Sequence, residues 1–107
     1  MNRLMLAAIL CLVSFATAAE EDSKVAIKKW RACADATATR YAKTTEPALV
    51  ISRLAILSCR AEKQAAWQAL SQESGAHFAD DWVETMEKRY TDLLAIQVIE
   101  MRLKHLN

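Results

Sequence analysis

Helix-breaking residues are almost absent: the chain has one glycine, Gly75, and one proline, Pro47. No run of alternating β-branched residues suggests a strand. No internal repeat or low-complexity tract appears either, so sheets, solenoids and flexible linkers find no support. An excess of one charge is also missing. Fourteen Lys and Arg face thirteen Asp and Glu, and a neutral mixture lacks the basic face that binding nucleic acid requires. Histidine is limited to His77 and His105, and the three cysteines include no C-x-x-C pair. With no nucleophile beside a base and no cofactor motif, the expectation is a protein that is not an enzyme and carries no cofactor.

Long hydrophobic runs are missing as well. The one apolar stretch, Leu4 to Phe15, follows Arg3 and precedes Ala16-Thr17-Ala18, with Glu20, Glu21 and Asp22 close behind. A membrane-spanning helix needs ~20 apolar residues, so residues 1–18 read as a cleaved signal peptide, with membrane attachment only if that signal stays uncleaved. Cys11 lies inside the run with Leu10 directly before it, where a lipidation signal wants a small residue. Cleavage before Ala19 leaves residues 19–107 as one small domain in the periplasm or outside the cell. Its cysteines are then Cys33 and Cys59, and its net charge is zero. A domain of this size buries a modest fraction of its surface and benefits from a covalent staple.

The mature chain divides into three helical segments, roughly 23–43, 46–74 and 77–106. Thr44-Thr45-Glu46-Pro47 carries a capping hydroxyl, an acid and a proline suited to a first turn. Gly75, after Ser71-Gln72-Glu73-Ser74, suits a left-handed stop. Each segment has an apolar face. In the first it comprises Ile27, Trp30, Cys33 or Ala34, Thr37 and Tyr41. The second offers Leu49, Val50, Leu54, Leu57, Ala61, Ala65 and Leu70, and the third Trp82, Met86, Tyr90, Leu93 and Leu94. The expected fold is all-α: a helical hairpin plus a third helix.

Cys33 and Cys59 lie about equally far on either side of the turn near residue 46. In an antiparallel hairpin, at ~1.5 Å rise per residue, they come to nearly the same level and can form a disulfide in an oxidising compartment. A metal-binding or redox pair is the rival reading, but no local cause of a low-pKa thiolate is visible. Around these residues, Trp30-x-x-Cys33, Glu46-Pro47-Ala48 and Cys59-Arg60-Ala61-Glu62 resemble a pattern in small secreted helical proteins of proteobacteria. The resemblance covers roughly residues 30–70. It implies export and a disulfide-linked helical hairpin, and that family has no assigned chemistry from which to carry an active site.

Two features admit a ligand. His77, Asp80 or Asp81, and Glu84 recur at helical spacing and could offer a metal one nitrogen and several carboxylates. A solvated face matched to the helix dipole, with Arg102, Lys104 and His105 at the other end, is the plainer account. Trp30, Trp67 and Trp82 could line an apolar pocket, although Trp30 and Trp82 coincide with the expected buried stripes. The third segment ends apolar almost all round, through Ile96, Val98, Ile99, Met101, Leu103 and Leu106, more than one packed face needs. That set is the candidate interface for a protein partner or a second copy. The expectation is a non-enzymatic interaction module; the alternative is a binder of a small apolar ligand or a metal ion.

Overall fold

A computed structural model of the chain describes residues 22–106, and the expected signal peptide lies outside them. Those residues form four helices and no strand: α1 (Ser23–Tyr41), α2 (Ala48–Ser58), α3 (Arg60–Ser74) and α4 (Ala76–Leu106). The first expected segment is α1, the third is α4, and the second is two helices rather than one.

The start of α1 is capped twice. The Asp22 carboxylate accepts from the Lys24 N–H. From the far end of α3, Glu73 accepts from both the Ser23 N–H (3.1 Å) and the Ser23 hydroxyl (2.6 Å). These carboxylates satisfy orphan N–H groups and complement the positive end of the helix dipole. Along the helix, Trp30, Ala34 and Thr37 are buried, as the periodicity expects, with Ile27, Cys33 and Tyr41 half-buried beside them. The Thr44 hydroxyl serves the turn after α1, donating to the Tyr41 carbonyl and accepting from the Glu46 N–H. Pro47 then takes the N-cap position with no side-chain cap, and α2 begins at Ala48.

The division of the second segment corrects the single helix expected over 46–74. Cys59 leaves the helical well at φ −102° and ψ 26°. Hydrogen bonds from its N–H to the Ala55 carbonyl and from the Lys63 N–H to its own carbonyl continue across the site, so the chain kinks without forming a loop. No Pro or Gly stands there. What distinguishes the position is that Cys59 is fully buried and stands at disulfide-bonding distance from Cys33, with 2.05 Å between the sulfurs and 5.9 Å between the Cα atoms.

The face that α2 presents to the core is also corrected. Leu49, Val50, Leu54 and Leu57 are exposed, while Ile51, Ser52, Ala55 and Ile56 are buried. Because α2 is apolar on most sides, its periodicity does not select a face. The small residues decide it: Ser52 and Ala55 let α1 and α4 approach closely. The Ser52 hydroxyl can be buried because it donates to the Leu49 carbonyl within its own helix. In α3, Ala66, Ala69 and Leu70 face inward, whereas Ala61 is exposed.

Gly75 separates α3 from α4 with φ 92° and ψ 155°, a conformation essentially reserved for glycine. It allows α4 to turn back along the other helices. Contacts show the register: Trp67 donates to Asp80 (2.7 Å), Lys63 pairs with Glu87, and Arg102 reaches the α1–α2 turn. Against α1, the Trp30 ring meets Tyr90 edge-on, with centroids 4.9 Å apart.

Candidate interaction surface

The expected metal face is not gathered into a donor set. His77 lies 3.6 Å from Asp81, Asp80 accepts from the Trp67 indole, and Glu84 lies 3.6 Å from Lys88. His77 is almost wholly in solvent and Asp81 is well exposed. Among the described residues, the donors that do converge are Cys33, Cys59 and Glu62, within 4.8 Å of one another. There the two sulfurs are positioned to bond each other. The three tryptophans do not converge either. Trp30 is fully buried, with its indole N–H unpartnered among the described residues. Trp67 sits beside an open polar cleft between α3 and α4, and Trp82 packs on the core edge.

Burial raises the Tyr90 hydroxyl pKa above its ordinary value of 10.0; Arg31 opposes the shift and Asp35 adds to it. Tyr90 packs against Trp30 and under the Arg31 guanidinium, so it is a neutral member of the core.

The distribution of apolar side chains is more informative. Among the described residues, nine of the eighteen buried hydrophobic residues are alanines, while eleven large hydrophobic side chains are exposed. This reverses the usual preference for burying the largest apolar groups. Eight of the exposed ones gather on two faces. The first is the outer face of α2, with Leu49, Val50, Leu54 and Leu57, which the sequence pattern assigned to the core. The second is the outer face of the C-terminal half of α4.

Of the six residues expected as an interface, the structure removes one and splits the rest. Val98 is fully buried, and Met101 is half-buried against the core. Val98 stands next to the outward Ile99, so apolar character all round hides the difference. Ile96, Ile99, Leu103 and Leu106 are exposed by 53, 49, 56 and 82%. Their spacing of three, four and three places them on one stripe of the helix, opposite Leu94, Val98 and Met101.

Arg102 escaped a reading that treated it only as dipole-matched charge. Its guanidinium donates to three carbonyls at the α1–α2 turn: Ala42 (3.1 Å), Thr44 (2.7 Å) and Glu46 (2.5 Å). It thereby fixes the end of α4 on the turn and leaves the outer stripe facing solvent. Among the described residues, no helix is long and apolar enough to cross a membrane. Comparisons with protein-family profiles, curated proteins and solved structures give no match to the chain.

Proposed function

We propose that the chain is an exported, non-enzymatic interaction module. In this reading residues 1–18 direct it to the periplasm or beyond and are removed. A Cys33–Cys59 disulfide clasps α1 to α2 and α3 as an antiparallel hairpin, and α4 presents the binding surface. The observation that carries the reading is the stripe of Ile96, Ile99, Leu103 and Leu106, about half exposed or more on a helix whose opposite face is packed against its neighbours. A contiguous apolar stripe on a small protein loses free energy to water until a partner covers it.

Substitution at the stripe tests the reading without touching the core. In protein isolated from the periplasm, whose intact mass should begin at Ala19, Ile99→Lys and Leu103→Lys should keep the parent's helical signal and melting temperature. Both should lose the association that light scattering is expected to read in the parent. If the parent does not associate and neither substitution changes partner recovery, the surface has no binding role.

A further inference from the structure

Resting on the reading of α4 as the binding surface, we infer that its partner is a second copy of this chain, joined antiparallel along α4, with Arg89 of each copy opposite the partner's Asp92. The stripe does not stop at Ile96. Continued toward the N-terminus at alternating steps of four and three residues, it passes through Asp92, Arg89, Thr85, Trp82 and Phe78. Trp82 is half-buried and the others are exposed. This is the seven-residue periodicity of a coiled-coil seam, sustained over nearly all of α4. The seam is apolar at both ends and polar in the middle, where a cation and an anion sit one turn apart.

That arrangement is complementary to itself in one direction only. In a parallel pair, Arg89 faces the partner's Arg89 and Asp92 the partner's Asp92, so like charges meet at the centre. In an antiparallel pair centred between residues 90 and 91, each Arg89 meets the partner's Asp92. Thr85 then meets the partner's Ile96, Trp82 the partner's Ile99, and Phe78 the partner's Leu103. A two-fold axis makes every one of these contacts twice. Among the described residues neither Arg89 nor Asp92 forms an ion pair, in contrast to the neighbouring Lys88 with Glu84 and Lys63 with Glu87.

The surface of α4 has a shape suited to this register. An open groove of about 480 Å³ is lined by Phe78, Asp81, Trp82, Thr85, Met86 and Arg89. Those six residues form two successive holes of the spacing i, i+3, i+4, i+7, the receptacle that a coiled-coil knob enters. The partner's Ile99 and Ile96 fall over these two holes. Leu93, half exposed beside the seam, meets the partner's Met86 across it.

Two measurements on oxidised, periplasm-isolated protein test the inference. In sedimentation equilibrium, Arg89→Asp and Asp92→Arg should each weaken the dimer about tenfold or more, and the double variant Arg89→Asp with Asp92→Arg should recover most of the loss. In mixtures of Thr85→Cys protein with Ile96→Cys protein, mild oxidation should give the mixed dimer. Thr85→Cys protein alone should give none, because two copies of that position lie more than a turn apart along the seam. Dimerisation abolished by Ile99→Lys but indifferent to both charge reversals, or a Thr85→Cys homodimer, overturns the antiparallel register and leaves the surface reading standing. A parent that stays monomeric at high concentration but floats with phosphatidylglycerol vesicles through Ile99 overturns the second copy as occupant. A monomer that Ile99→Lys does not affect in any assay overturns both readings.

Discussion

Removing the Arg102 guanidinium should destabilise the fold more than an exposed charge normally would. The side chain lies 60 residues from Ala42 in sequence, and its Nε–H meets the carbonyl at the C-terminal end of α1, in a partly buried contact of 3.1 Å. A hydrogen bond from a charged donor to such an acceptor contributes about 1.5–3 kcal/mol. The contacts to Thr44 and Glu46 are exposed, and water can replace them. At the low end of neutral hydrogen bonds they add about 0.5 kcal/mol each. Arg102→Ala should therefore cost about 2.5–4 kcal/mol. Arg102→Lys should recover only part of this, since a compact ammonium lacks the planar fork that serves three carbonyls at once. Urea denaturation of the oxidised proteins reads the cost as a lower midpoint with an unchanged slope. A loss below about 0.5 kcal/mol for Arg102→Ala, or full recovery by lysine, would refute the claim that this side chain holds α4 to the turn.

Other consequences follow from the same geometry. The Cys33–Cys59 closure spans 26 residues, for which the chain-entropy relation gives about 3.5 kcal/mol. Cys33→Ser should lose about that much stability under oxidising conditions, and a reductant should lower the parent to the level of the variant. At Gly75 an added Cβ would meet nothing within 4 Å, so Gly75→Ala isolates the backbone cost of φ 92°. The expected loss is about 1–3 kcal/mol in thermal or urea melts. Tyr90 keeps its proton to higher pH in the folded chain than in the unfolded one. Its contribution is fully present below pH 10.0 and is lost as pH rises through the raised folded value. Tyr90→Phe should flatten that alkaline fall in a pH series of melts, and an unchanged slope would count against the burial of this hydroxyl as its cause.

How much of this was readable from the residues depended on whether a residue had one role or two. Gly75 and Pro47 had one each, as breakers in a chain with no others, and they stand at the boundaries the sequence implied. Trp30 and Tyr90 were legible because a large aromatic flanked by Lys28, Arg31 and Arg89 leaves little choice of buried face. In α2, by contrast, Leu49, Val50, Leu54 and Leu57 compete with Ile51, Ala55 and Ile56. Burial there is settled by how closely α1 and α4 can approach, a tertiary quantity. The kink at Cys59 left no trace because nothing in Ser58-Cys59-Arg60 disfavours helix. On α4, Val98 and Ile99 are adjacent apolar residues of similar size, and only the packed neighbours tell that one is wholly buried while the other is 49% exposed.

The same distribution bears on what a Cys33–Cys59 disulfide would contribute. Nine buried alanines let the helices pack closely, yet each methyl returns only about 0.8 kcal/mol on burial, against about 1.5–3 kcal/mol for a leucine or isoleucine side chain. A core assembled this way leaves a small domain with little margin, and about 3.5 kcal/mol from one disulfide is then a large share of a typical net stability of about 5–15 kcal/mol. Burying the outward leucines and isoleucines instead would stabilise the monomer but leave α4 without its stripe. The juxtaposed Cys33 and Cys59, Glu73 at the start of α1 and Arg102 at the turn join helices by contacts that do not use large apolar surface. Those side chains thus remain available on α4, where the fold does not need them and a partner would.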